Sequence, residues 1–107
     1  MCPITGDHKL GDTFSRIMAI PGVFANGYFT GWEVTSQIRT ASGALAADVV
    51  CEWVDPLTTR NLRLRVVNTS AWAVGKMEID VKFVRTSDNE TLRTSTASFS
   101  VYRGVTA

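Results

Sequence analysis

From Lys76 to Phe83, within the segment 76–85, charged and apolar side chains alternate residue by residue. Successive side chains of a β-strand point to opposite faces, so a period of two predicts a strand with one face in the core and the other in water. The apolar set comprises Met77, Ile79, Val81 and Phe83, and the charged set comprises Glu78, Asp80 and Lys82. This segment is therefore predicted to be a half-buried antiparallel strand.

Other segments repeat the alternation. Residues 32–39 and 61–66 each place apolar side chains on one face and polar or charged side chains on the other. In residues 45–54 the second set is mixed rather than polar, which predicts a strand covered on both faces. An early strand is expected over residues 13–20 and a last strand over residues 95–103, while helical periodicity is nearly absent.

Turn residues separate these strands. Residues 40–43, 55–57 and 87–90 are rich in Gly, Pro, Asp, Asn and Ser and are hairpin candidates. Residues 68–75 are the one place for a helical turn, with Ser70 as a cap and Gly75 as a stop. The pattern predicts an all-β protein of about six to eight short strands, arranged as a sandwich or a small barrel.

The length of 107 residues indicates a single domain, residues 1–107, of which residues 1–10 are expected to form an extended N-terminal arm. Eleven Lys and Arg residues nearly balance ten Asp and Glu residues. Such a balance disfavours a nucleic-acid partner and a polybasic membrane anchor. No apolar run is long enough to span a membrane and no secretory leader is recognisable, so a soluble, unexported product is expected.

Residues that carry chemistry are few. The chain has one histidine, His8, and two cysteines, Cys2 and Cys51, with no metal-ligand spacing and no nucleotide-binding or nucleophile motif. Cys51 is expected to be a reduced core residue, although a disulfide with Cys2 is left open. We predict no catalytic, cofactor-binding or metal-binding residues, no cofactor and no enzymatic activity.

Two charged stripes have a structural interpretation. Glu78 and Asp80 lie two residues apart on one strand. This spacing indicates the solvent-exposed face of the strand rather than a catalytic acid pair. Arg63 and Arg65 could contact nucleic acid, but stacking aromatic residues are missing beside them. Cross-strand pairing with acidic neighbours such as Glu52, Glu78 or Asp80 is the favoured interpretation.

The aromatic residues divide into two groups. Trp32 and Trp53 alternate in phase with aliphatic neighbours, which favours core packing over a ligand platform. Four others lie in segments rich in turn residues, so we predict them to anchor a protein–protein interface: Phe24, Tyr28, Phe29 and Trp72. The alternative is that the loop of residues 21–31 folds back as an extra strand and buries its aromatic side chains. The Thr- and Ser-rich strand of residues 91–100 is a candidate open edge for a neighbouring chain.

Several short motifs carry a resemblance to a known family. Gly-Asp-Thr-Phe at 11–14 is followed by Thr-Gly-Trp-Glu-Val at 30–34, Gln-Ile-Arg at 37–39 and Gly-Lys-Met-Glu-Ile-Asp at 75–80. From Gly11 onward to the final Val-Thr at 105–106, the chain resembles small structural proteins of tailed phages and prophages. It departs from that family at Met77, where an aromatic residue is frequent, and in its longer, more aromatic loop at 21–29.

The resemblance implies an immunoglobulin-like antiparallel β-sandwich, similar to the N-terminal attachment domains of phage baseplate and tail-fibre proteins. It implies a virion component without catalytic activity, made and assembled in the host cytoplasm, at the tail, neck or baseplate. Other virion proteins and further copies of the chain would be its partners, with no nucleic acid and no membrane. The alternatives are a module that binds a host-surface glycan or protein, and a head-decoration protein.

Overall fold

The computed structural model describes residues 7–103, which form eight β-strands and no helix. All six predicted strands are confirmed, and two short strands, the first and the seventh, were not predicted. The strands are β1 (His8–Lys9), β2 (Phe14–Ala19), β3 (Trp32–Thr40), β4 (Leu45–Trp53), β5 (Asn61–Val66), β6 (Gly75–Arg85), β7 (Thr91–Arg93) and β8 (Ala97–Tyr102). The all-β class predicted from the sequence is confirmed.

The strands form one continuous, strongly curved sheet. Its order is β1-β8-β6-β3-β4-β5-β2, with β7 also paired to β6. All neighbours are antiparallel except β1 and β8, which are parallel. Strand β4 connects the two halves, because its first part pairs with β3 and its last four residues pair with β5. The result is a nearly closed, barrel-like sheet, and an immunoglobulin-like sandwich is not confirmed.

The two ends of the strand order approach each other through side chains. Phe14 of β2 lies 5.5 Å from the ring of His8 in β1 and 5.2 Å from the ring of Phe99 in β8, centroid to centroid. Within residues 7–103, no ladder of backbone hydrogen bonds joins β2 to β1 or β8. Aromatic packing, rather than strand pairing, therefore closes this side of the sheet.

The core lies inside the curved sheet, and the predicted alternation is confirmed there. The inward residues of β6 and β5 are buried: Met77, Ile79, Val81, Phe83, Leu62 and Leu64. Each such side chain stabilises the fold by roughly 1.5–3 kcal/mol through its removal from water. Strand β4 differs from the prediction, since Val50 is 60% exposed and its outer face is not covered. The sheet is a single wall around one core, so only one face of β4 can be buried.

The predicted helical turn at residues 68–75 is wrong. This segment contains a tight turn in which the Trp72 N–H donates to the Thr69 carbonyl at 3.0 Å. The Asn68 side-chain oxygen accepts hydrogen bonds from both the backbone N–H and the hydroxyl of Ser70. The Asn68 side chain thereby satisfies both donors of Ser70, and such local side-chain hydrogen bonds favour a turn over a helix. The segment is also too short for a helix to propagate.

The predicted hairpin turns are found, with one addition. Residues 40–43 join β3 to β4, and residues 55–57 lie between β4 and β5. Residues 87–90 join β6 to the short, unpredicted strand β7, and the last strand predicted over residues 95–103 is β8. Of the predicted arm at residues 1–10, residues 1–6 with Cys2 lie outside the described residues, whereas His8 and Lys9 pair with β8.

Candidate interaction surface

Trp72, one of the four predicted interface anchors, lies inside the molecule. Its side chain is only 6% exposed. Its ring centroid lies 5.4 Å from His8, 5.8 Å from Phe14 and 6.2 Å from Phe99. These four rings fill the core where the ends of the strand order meet. The prediction that Trp72 anchors a partner is therefore wrong for the folded chain, because its surface is already used.

Phe29 is the second predicted anchor that turns out to be a core residue. It is 1% exposed and stacks on Phe83 with a centroid distance of 4.5 Å. Trp32 and Trp53 pack around it at 5.4 and 6.1 Å. The in-phase position of Trp32 and Trp53 correctly indicated core packing. Phe29 completes that cluster of rings because its loop folds back over the sheet. Phe29 is therefore a core residue and not the interface anchor that the sequence predicted.

Phe24 and Tyr28 lie at the outer side of the same cluster. Phe24 is half-buried, and its ring lies 5.1 Å from the rings of both Tyr28 and Phe29. Tyr28 is 46% exposed. Of the four predicted residues, Tyr28 has the largest exposed fraction. The loop returns through successive tight turns, such as the Tyr28 N–H to Ala25 carbonyl bond of 3.0 Å, and not as an extra strand.

Arg60 fixes this loop to the turn that follows β4. Its guanidinium donates to the carbonyls of Ile20, Pro21 and Phe24 at 2.5–2.8 Å. The two segments also meet directly, since the Gly27 N–H donates to the Thr58 carbonyl at 2.7 Å. We call these two segments, residues 20–31 and 54–60, the loop end of the molecule. A planar guanidinium with several N–H donors suits this role, because it can donate hydrogen bonds to neighbouring carbonyl groups at the same time.

Asp55 stabilises the second segment of the loop end. Its carboxylate accepts hydrogen bonds from the Thr58 hydroxyl at 2.7 Å and from the backbone N–H groups of Arg60 and Asn61. The Thr58 bond and the backbone bonds lower the pKa of Asp55, because they favour its ionised form. The turn that carries Pro56 and Leu57 is thus held in one shape at neutral pH.

The loop end exposes apolar side chains. Val23 is 87% exposed and Leu57 is 92% exposed, and both project from segments that Arg60 and Asp55 hold in place. Val54 and Tyr28 add partly exposed apolar surface at this end. Exposed apolar groups on an ordered surface are typical of a contact site for another molecule. Sequence reasoning missed Val23 and Leu57, although an apolar residue directly after the turn-forming Asp55 and Pro56 was a usable signal.

The arginine stripe on β5 is partly neutralised within the sheet. Arg63 lies opposite Glu52 of β4, and the nearest Nη1 and Oε1 atoms are 3.9 Å apart. Of the acidic neighbours predicted for this stripe, Glu52 is confirmed as the partner of Arg63, whereas Glu78 and Asp80 lie on β6, which does not neighbour β5. Both side chains are about half exposed, so this ion pair adds little to stability. Ile17 of β2 lies on the other side of Arg63 and is also exposed.

The reactive side chains are buried in unreactive forms. Burial raises the pKa of the Cys51 thiol to about 11, so the thiol is protonated at neutral pH. The His8 Nε2 lies 2.9 Å from the Asp12 carbonyl and 3.2 Å from the Thr69 hydroxyl. No group of three or more His, Cys, Asp or Glu side chains suited to a metal ion occurs among residues 7–103. The same part of the chain contains no helix long and apolar enough to cross a membrane.

No protein-family model matches the sequence, and no curated protein matches it significantly.

Proposed function

We propose that this chain is a non-enzymatic structural subunit of a tailed-phage particle. In this role it is an adaptor at the tail, neck or baseplate that attaches fibres or completes a ring with other virion proteins and with copies of itself. The observation that carries the proposal is the loop end, where Val23 and Leu57 are almost fully exposed on ordered segments. The motif resemblance and the immunoglobulin-like sandwich it implies remain predictions.

The exposed side chains of the loop end offer enough apolar surface to drive association. Transfer of a Val or Leu side chain from water to an apolar contact contributes roughly 1.5–3 kcal/mol. Val23, Leu57 and the ring of Tyr28 together would therefore supply several kcal/mol to an interface. An assembly protein works through such contacts, because it needs shape and apolar area rather than a reactive group.

The rigidity of the loop end also suits an assembly contact. Three carbonyl groups held by Arg60 and three donors held by Asp55 fix the two segments before any partner arrives. A surface that is already ordered loses less conformational entropy on binding than a mobile loop does. This organisation favours a permanent contact with defined geometry.

An open strand edge provides a second contact. Strand β7 pairs with β6 alone in the described part of the chain, so its other side can accept a neighbouring strand. Residues 91–100 were predicted to form such an edge, and β7 occupies the beginning of that segment. Copies arranged around a symmetry axis can pair at edges of this kind.

Particle fractionation tests the virion assignment. A lysate in which the native genome expresses the chain is separated on a density gradient, and the chain is quantified in each fraction by mass spectrometry. The proposal expects the chain in the particle fraction at a fixed ratio to the major tail protein. A Val23→Ser, Leu57→Ser double variant should move to the unassembled fraction. Native chain found only in the unassembled fraction would overturn the assignment.

A further inference from the structure

Two like charges face each other on the outer surface of the sheet. Lys82 of β6 lies directly opposite Arg93 of β7. Like charges at directly opposite positions of neighbouring strands destabilise a sheet. Thr35 of β3 lies opposite Lys82 on its other side, so a hydroxyl, an ammonium and a guanidinium form one cross-strand row.

Among the described residues, neither cation of this row has an acidic partner. Arg63 pairs with Glu52, and Arg85 pairs with Asp88 and Glu90, whereas no ion pair or side-chain hydrogen bond involves Lys82 or Arg93 within residues 7–103. Two arginines of the sheet, Arg63 and Arg85, therefore have carboxylate partners, and Lys82 and Arg93 have none in the described part of the chain. An anionic group placed between Lys82 and Arg93 would remove the repulsion.

The row borders a groove that the topology creates. Strand β4 pairs with β3 as far as Ser36 and Val49, and then turns away to pair with β5. The β3 residues before Ser36 consequently have no strand partner on that side among the described residues. The outward-facing residues that line the groove are Thr35, Gln37, Asp48, Asp80, Lys82 and Arg93, and Val34 and Val49 border it where β4 turns away. A few convergent polar groups of this kind can orient a small ligand.

The next row limits what the groove can accept. Gln37 lies between Asp48 of β4 and Asp80 of β6, and its Nε2 donates to the Asp48 carboxylate at 3.0 Å. The two carboxylates lie one row away from Lys82 and Arg93, about 7 Å along the strands. They would repel a polyanion such as nucleic acid, yet they can accept hydrogen bonds from hydroxyl groups. A ligand that matches both rows carries one negative charge at one end and hydroxyl donors at the other.

We propose that this groove binds a small hydroxylated carboxylate, for which a sugar acid is the simplest example. Lys82 and the Arg93 guanidinium hold the carboxylate, since a guanidinium fork matches the two oxygens of a carboxylate. Asp80 and Asp48 accept hydrogen bonds from the hydroxyl groups of the ligand. The site is independent of the assembly role of the loop end and uses none of its residues.

A titration by two-dimensional ¹H–¹⁵N NMR tests this site with sodium D-glucuronate as the probe. D-glucose is the neutral control and D-glucose 6-phosphate is the phosphate arm. We expect saturable glucuronate shifts in the millimolar range at residues 35, 80, 82 and 93, and no such shifts with glucose. Lys82→Gln and Arg93→Gln should each weaken binding about fivefold or more, because each removes one hydrogen bond to a charged group. Lys76→Gln, an exposed change on the same strand outside the groove, should leave binding unchanged.

Any of the following results overturns the proposal. No glucuronate shifts, equal shifts with glucose, or equal weakening by Lys76→Gln would show that the groove does not recognise a carboxylate. Binding of glucose 6-phosphate alone would show a phosphate site instead. Thermal unfolding of the Lys82→Gln variant separates binding from folding. We expect it to unfold at no lower temperature than the native chain, because the substitution removes a like-charge repulsion.

Discussion

His8 is a buried titratable side chain at the point where the two ends of the sheet meet. Burial lowers the pKa of His8 from its ordinary value of 6.5, and the nearby positive charge of Arg16 lowers it further. The carbonyl and the carboxylate of Asp12 act in the opposite direction, and burial outweighs them. The neutral imidazole packs on the rings of Phe14 and Trp72. Protonation would place a charge among these rings.

The stability of the protein should therefore fall as the solution is acidified. The unfolded chain binds a proton at His8 near pH 6.5, while the folded chain resists protonation to a lower pH. The contribution of neutral His8 to the free energy of unfolding is complete above pH 6.5. It is lost as the pH falls through that value toward the lowered pKa of His8 in the folded chain. Melting temperatures measured by circular dichroism from about pH 8 to pH 5 should decrease over this window.

In a His8→Gln variant the melting temperature should no longer depend on pH in this range, although the variant is less stable overall. Its melting temperature should stay flat where that of the native chain falls. The carboxyls of Asp55 and Asp88 do not interfere, because hydrogen bonds lower their pKa values from 3.8 and their effects lie at more acidic pH. An equal slope in both proteins would show that His8 does not cause the change.

Arg60 gives a second prediction at the scale of one residue. Arg60→Lys keeps the charge but cannot reach the three carbonyls that the guanidinium satisfies. Leaving a partly buried carbonyl unsatisfied costs about 1–3 kcal/mol, so urea unfolding should show a loss of that size. Arg65→Lys is the matched control, because Arg65 is exposed on β5, and its stability should change little. Equal losses of unfolding free energy in the two variants would contradict the proposed role of Arg60 in holding the loop.

The strands and their turns were largely predictable from local patterns, and particular elements show why. In β6, the eight residues of strict alternation at 76–83 determine both the strand and its buried face, because the period of two fits no other structure. In β4, small and apolar residues occupy both faces, so the pattern could not reveal that Val50 faces water. Strands β1 and β7 escaped prediction because two or three residues are too few to show a period.

The aromatic side chains of the loops were less predictable, because their burial depends on tertiary contacts. Trp72 and Phe29 lie in sequences typical of surface turns, and only the curvature of the sheet brings His8, Phe14 and Phe83 against them. The closure of the sheet itself is a long-range property. No local pattern reports that β4 pairs with β3 at one end and with β5 at the other.

The β3–β4 hairpin gives a prediction at the scale of an element. Gly43 has a φ of +93°, whereas Gly22 has no positive φ, and a Cβ atom would meet nothing within 4 Å at either position. Gly43→Ala should therefore destabilise the protein by about 1–2 kcal/mol through backbone strain alone. Gly22→Ala should be neutral or stabilising by up to about 1 kcal/mol, because it restricts the unfolded chain. Urea unfolding of both variants measures the difference, and equal effects would contradict it.

At the scale of the whole molecule, one curved sheet encloses a core that contains two clusters of aromatic rings. One cluster lies where the ends of the strand order meet, and the other lies beneath the loop end. The molecule measures 44 × 25 × 20 Å along its principal axes. Exposed apolar side chains such as Val50 and Val67 also occur elsewhere on the surface, but Val23 and Leu57 of the loop end have the highest exposed fractions, 87% and 92%. We therefore assign association to this end.

The mass of the purified protein in solution, measured by light scattering from micromolar concentrations upward, tests that assignment most directly. We predict a native multimer of defined mass and a folded monomer for the Val23→Ser, Leu57→Ser variant. A Val67→Ser, Val74→Ser variant is the control, since it removes two exposed valines outside the loop end and should remain a multimer. A native monomer at every concentration, or a control that dissociates as fully as the loop-end variant, would contradict the account.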